Sequence, residues 1–125
     1  MRALTKRLYA LADFLREALL VVSLRLPYFR GRVSKPEIPV VASMTTYPPR
    51  IGLAWIAIET LLRQSVRPQR LLLVLSEEEF PGRVVPSRIR AQTRRGLELL
   101  WVEKDGRSYD KLIPVRQEFP GETIV

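Results

Sequence analysis

The side chains best equipped for chemistry stand in three polar stretches, each directly after an apolar run. The first is Ser43-Met44-Thr45-Thr46-Tyr47-Pro48-Pro49-Arg50, which follows the apolar run 38–42. Thr45 and Thr46 offer hydroxyls and backbone N–H groups. Pro48 and Pro49 fix two φ angles and stop further strand pairing. Arg50 falls where a helix can begin, so a guanidinium and a helix dipole of the same sign would meet there, an arrangement suited to a diphosphate. Tyr47 could stack on a base. The same residues also make a rigid strand-to-helix corner with a solvated arginine, and the chemistry alone leaves both readings open.

The second stretch is Ser76-Glu77-Glu78-Glu79. One carboxylate could accept hydrogen bonds from a base edge, although acidic runs of this kind are commonly solvated loop. The third contains Asp105, Asp110 and Lys111. Asp110 suits a helix cap, and Lys111 is either a phosphate contact or an ordinary exposed lysine. Much chemistry is excluded. The chain has no cysteine and no histidine, which removes disulfides, thiolates, imidazole bases and the common zinc sites. A metal would have to be a hard, oxygen-bound ion such as magnesium or manganese. Neither a GxxxxGK loop nor a GxGxxG fingerprint occurs.

The elements that must position these stretches alternate. Residues 38–44 read as a buried strand. Residues 52–65 are long enough for a helix, with Trp55, Ile58 and Leu62 on one face, Leu53, Ala57 and Leu61 widening it, and Pro68 ending the unit. The run 70–76 has no polar alternation, as expected of a strand buried on both faces. Residues 87–95 predict a short helix closed by Gly96, and 97–103 a third strand. Residues 109–119 predict a helix with Asp110 as N-cap and Pro114 near its first turn, and 121–125 begin a fourth strand. Strands alternating with helices predict an α/β domain with a mainly parallel sheet over residues 36–125. Ligands of such sheets bind beyond the carboxyl ends of the strands, where all three polar stretches lie.

Residues 1–35 differ from this body. They hold eight Lys/Arg and two Asp/Glu, against thirteen and eleven in residues 36–125, so most of the net charge of +8 sits at the N-terminus. That distribution, with no recognisable nucleic-acid motif, argues against a nucleic-acid partner for the body. Leu4, Leu8, Leu11, Leu15, Ala18, Leu19 and Val22 recur at helical spacing, with Arg2, Lys6, Asp13, Arg16 and Glu17 opposite. The pattern predicts an amphipathic helix followed by a linker rich in Pro and Gly. The uncharged run 18–24 is too short to span a bilayer. The helix would pack on a protein surface or lie on an anionic membrane, helped by Arg25, Arg30 and Arg32.

The co-linear order of "VVASMTTYPPRI", "RQSVRPQRLLLVLSEEEFP", "RGLELLWVEKDGRSYDKLIP" and "FPGETIV" resembles the N-terminal part of the bacterial sugar-nucleotide-dependent glycosyltransferases of the GT-A type. The resemblance covers residues 38–125 and rests on the whole series. It implies an incomplete GT-A (Rossmann-like) α/β fold, a nucleotide-diphosphate sugar as donor, and a role in polysaccharide or glycoconjugate synthesis in the cytoplasm or peripherally on the inner membrane. By similarity Thr45, Thr46, Tyr47, Pro48 and Arg50 would line the nucleotide pocket, with Ser76, Glu77 and Lys111 closing it. The family uses a divalent cation, Mn or Mg, held by an acidic Asp-x-Asp cluster that follows the strand corresponding to 123–125. The sequence stops there, so the expectation is a nucleotide-binding front half that holds no metal and is inactive alone. The competing expectation is a non-catalytic membrane-peripheral or protein-interaction module.

Overall fold

The computed structural model describes residues 2–26, 34, 39–104 and 112–125. Its elements are α1 (Arg2–Arg25), β1 (Val40–Thr45), α2 (Pro48–Leu62), β2 (Arg70–Ser76), a 3₁₀ turn (Pro81–Arg83), α3 (Ser87–Thr93), β3 (Leu97–Val102), α4 (Ile113–Glu118) and β4 (Thr123–Ile124). The four strands form one sheet in the order β3-β2-β1-β4, and every pairing is parallel. This is the α/β architecture that the alternating pattern predicts.

Strand β2 explains the centre of the fold. Six of its seven residues are buried, because parallel neighbours flank it and helices cover both its faces. Successive side chains alternate between two cores. Leu71, Leu73 and Leu75 join Ala42, Trp55, Ile58, Leu62, Ile89 and Leu97 beneath α2 and α3. Leu72 and Val74 join Val41 and Val115 on the α4 face. The second core is smaller among the described residues: the six-residue α4 contributes Val115, and its C-cap Phe119 packs beside it.

Several boundaries differ from the sequence expectation. Helix α2 begins at Pro48, not at Gly52, with prolines in its first two positions, where a missing N–H costs no helical hydrogen bond. It ends at Leu62, before Pro68 is reached. Leu53 and Ala57 do not widen its buried face: both are exposed, and Glu59 lies on that face instead, 4% exposed. Helix α4 begins at Ile113 with Leu112 as its N-cap, so the cap is not Asp110, which lies outside the described residues. Pro114 occupies its first turn as expected. Past α3, Gly96 takes φ +113° and its N–H bonds the Thr93 carbonyl, the left-handed closure that glycine permits.

Helix α1 meets the body near its C-terminus, where Val21 and Leu24 pack against the larger core. Its apolar stripe is not that docking face. Leu8, Leu11, Leu15, Leu19 and Val22 are between 52% and 69% exposed. Among the described residues, no helix is long and apolar enough to cross a membrane.

Candidate functional site

The strand order reverses at β1: β2 and β3 lie on one side of it, and β4 returns to the other. A crevice outside the carboxyl ends of β1 and β4 is the usual ligand position in such a sheet. The segment leaving β1 at that point is Thr46-Tyr47 followed by the first turn of α2.

The start of α2 gives more charge than hydrogen bonding. Pro48 and Pro49 carry no N–H. The N–H groups of Arg50 and Ile51 both donate to the Tyr47 carbonyl, at 2.9 and 3.0 Å. The helix terminus therefore contributes its dipole, and donation to an anion falls to the Arg50 guanidinium. That guanidinium lies 5.7 Å from the centroid of the Tyr47 ring, close enough for a cation–π contact. Tyr47 is 43% exposed and Pro48 and Arg50 are exposed, while Thr46 is half-buried. Tyr47 and Arg50 thus form one unit: an aromatic plane with a cation beside it.

The other expected site residues divide between the two sheet faces. The Thr45 hydroxyl donates to the Val74 carbonyl at 3.1 Å, clamping β1 to β2. Thr45 and Ser76 share the α4 face by strand parity with Val41, Leu72 and Val74. Ser76 is 2% exposed, and its hydroxyl has no hydrogen-bond partner among the described residues. Glu77 belongs to a different group. Its N–H donates to the Val102 carbonyl at 2.8 Å, and its carboxylate pairs with Arg83, whose Nε donates at 3.0 Å. Arg83 lies over the Trp101 ring at 5.7 Å, and Trp101 meets Phe80 edge-on at 6.5 Å. Arg83 adopts φ +57°, a left-handed conformation that costs a non-glycine residue about 1 kcal/mol or more; the ion pair and the ring contact hold it there. Lys111 lies outside the described residues.

The described residues do not supply a donor set for a divalent cation. No group of three or more acidic side chains converges among them, and the Glu77 carboxylate already answers Arg83.

A second cluster, absent from the sequence reading, surrounds Glu59. Its carboxylate accepts hydrogen bonds from Arg63 Nε (2.7 Å), Arg95 (2.7 and 2.9 Å) and Gln92 Nε2 (3.1 Å). Burial pushes the Glu59 carboxyl up, but the hydrogen bonds from Arg95, Arg63 and Gln92, with the Arg95 charge, hold it below its ordinary value. Arg63 also donates to the carbonyls of Ser23, Leu24 and Leu26, capping the C-terminus of α1. The sequence carried one signal of this: Glu59 follows Trp55 by four residues and precedes Arg63 by four, on the apolar face of α2. A cleft of about 540 Å³ opens here between α1, α2 and α3. A more apolar one of about 440 Å³ lies at the opposite edge of the sheet from Tyr47 and Arg50, lined by Leu61, Leu62, Pro68 and Leu71.

Comparisons of the chain with protein-family models, with curated proteins and with solved structures give no match.

Proposed function

We propose that residues 36–125 bind the nucleotide part of a nucleotide-diphosphate sugar, as the front half of a glycosyltransferase-like domain. The observation that carries this reading is the position of the Thr46-Tyr47-Pro48-Pro49-Arg50 segment at the strand-order reversal of an all-parallel sheet. The Tyr47 ring offers a stacking plane, and Arg50 with the α2 dipole offers diphosphate attraction. The motif order from 38 to 125 supports the choice of a sugar nucleotide over other nucleotides. The family's metal has no fitting donor set among the described residues, so no chemical step is assigned to these side chains; the proposed activity is binding.

The test is a calorimetric titration of the purified chain with UDP and other nucleoside diphosphates, with and without manganese. Saturable binding that weakens in Arg50→Ala supports the pocket. No binding, or binding indifferent to Arg50→Ala, overturns it.

A second reading concerns α1: a peripheral position on the cytoplasmic side of an anionic membrane. The exposed stripe of Leu8, Leu11, Leu15, Leu19 and Val22 favours it. A helix this exposed gains little from its own backbone and needs a covering surface. Of the positions beside the stripe, Ala12 and Phe14 are apolar and Arg7 is basic, a composition that fits an anionic lipid surface. The triple variant Leu8→Ser, Leu11→Ser, Leu15→Ser should lose flotation with anionic liposomes. Equal recovery of variant and parent sinks this reading, and a concentration-dependent dimer lost in the variant assigns the stripe to a second copy.

A further inference from the structure

We propose that the cleft between α1, α2 and α3 is a second, separate anion site, whose ligand is a phosphate ester carrying a hydroxyl group. It shares no residue with the Tyr47–Arg50 segment and stands or falls independently of the nucleotide reading. Arg25, Arg63, Arg88 and Arg95 line this cleft, and Glu59 is the one carboxylate among its lining residues. Among the described residues the lining therefore carries four guanidinium groups against one carboxylate, a net charge of +3.

The four arginines are not equivalent. Arg63 is occupied by Glu59 and by the last carbonyls of α1. Arg95 turns one nitrogen to Glu59. Arg25 and Arg88 lie over the Trp55 ring at 5.9 and 4.5 Å, and neither forms an ion pair among the described residues. A guanidinium stacked on a ring keeps its N–H edges available in its own plane, the geometry that matches phosphate oxygens. Trp55 thereby orients two cations from two different helices beside the remaining donors of Arg95.

The hydroxyl follows from Gln92, which is 4% exposed and lines the same cleft. Its Nε2 donates to the Trp55 carbonyl at 2.8 Å and to Glu59, which fixes the amide orientation. Its Oε1 is then a buried acceptor without a donor among the described residues. Such an acceptor calls for an O–H or N–H partner, and the surrounding cations call for an anion. A phosphate ester of a polyol meets both requirements. It has two sources: a soluble sugar or glycerol phosphate, or the headgroup of a phospholipid reached beside the exposed stripe of α1.

The experiment uses the full chain and follows the indole N–H resonances of its two tryptophans, assigned with Trp101→Phe. Glycerol 3-phosphate should shift the Trp55 signal saturably. The double variant Arg25→Gln, Arg88→Gln should weaken that binding at least about tenfold, as expected for losing charge-assisted phosphate contacts, while Arg16→Gln on the exposed part of α1 leaves it unchanged. Inorganic phosphate, lacking the alcohol, should bind more weakly. Capture by phosphatidylglycerol vesicles that depends on Arg25 and Arg88, with no response to soluble glycerol 3-phosphate, assigns the site to a lipid headgroup; the converse assigns it to a soluble ester. Binding of both probes that ignores Arg25 and Arg88, or no binding of either, overturns the site. Phosphate binding as tight as glycerol 3-phosphate overturns the role of Gln92. A urea titration of the double variant verifies that the fold persists.

Discussion

The carboxyl edge of the sheet and the cleft under α1 each combine arginine, carboxylate and an aromatic ring, but they are assembled in opposite ways. At the sheet edge the polar contacts are short-range: Tyr47 with Arg50, and Glu77 with Arg83. Both of the latter side chains are well exposed, at 40% and 58%. In the cleft the contacts join distant segments. Glu59 meets Arg63 on its own helix, then Gln92 and Arg95 more than thirty residues away, and Arg63 reaches back to α1. The Glu59 side chain is 5% exposed. Near neighbours on a surface loop make contacts that water and salt screen, whereas a buried carboxylate needs several donors at once, and only tertiary structure gathers them.

The largest expected effect tests that contrast. Glu59→Ala should destabilise the chain by about 2–3 kcal/mol, below the roughly 3–5 of a fully buried pair because Arg95 remains partly exposed. It removes the shared acceptor of three donors and frees the group that caps α1. Arg83→Ala, which breaks the ion pair at the other edge, should cost only about 0–1 kcal/mol. Urea denaturation measures both. Equal losses would erase the distinction between the two regions.

The pH dependence has a definite sign. In the folded chain the Glu59 carboxyl is held below its ordinary value, while the unfolded chain returns it to that value. The stabilisation is therefore complete above the ordinary carboxylate range and is lost as pH falls through the lower, folded value. The urea midpoint should decline on acidification below about pH 4.5, and Glu59→Gln, which does not titrate, should flatten that decline. An identical slope in parent and variant would mean that other carboxyls dominate acid unfolding.

The same contrast explains what the sequence disclosed. The run 70–76 announced a doubly buried strand because, after Arg70, no polar residue interrupts it until Ser76. The stretch 43–50 stood out as a candidate site because its residues are consecutive. Local geometry then altered its chemistry: with prolines at the first two helical positions and the Tyr47 carbonyl taking the next two N–H groups, the helix start lacks the donors that a typical anion-binding terminus supplies. The Glu59 cluster stayed hidden because two of its partners, Gln92 and Arg95, lie more than thirty residues away, in and just after α3. The apolar stripe of α1 was legible as a stripe, but periodicity could not say that Val21 and Leu24, on another side, would make the contact with the body.

An intermediate effect separates the two proposed anion sites. Arg50→Ala should lower UDP affinity by about tenfold, the scale of one charge-assisted contact in a partly exposed setting, and leave the Trp55 response to glycerol 3-phosphate unchanged. Arg25→Gln with Arg88→Gln should give the reverse pattern. If either change weakened both ligands equally, the two regions would be one coupled site and not two.

The smallest effect concerns Ser76. Its hydroxyl is buried at the end of β2 without a partner among the described residues, and an unsatisfied buried hydroxyl is a stability liability. Ser76→Ala deletes the liability and leaves a void of only one atom. The expected change is a gain of under about 1 kcal/mol, read as a higher urea midpoint. Because the hydroxyl lies on the α4 face and the Tyr47–Arg50 unit stands at the start of α2, UDP affinity should stay as in the parent. A fall in UDP affinity without loss of stability would reverse that assignment: it would mean that the bound nucleotide reaches the end of β2 and supplies the partner this oxygen lacks.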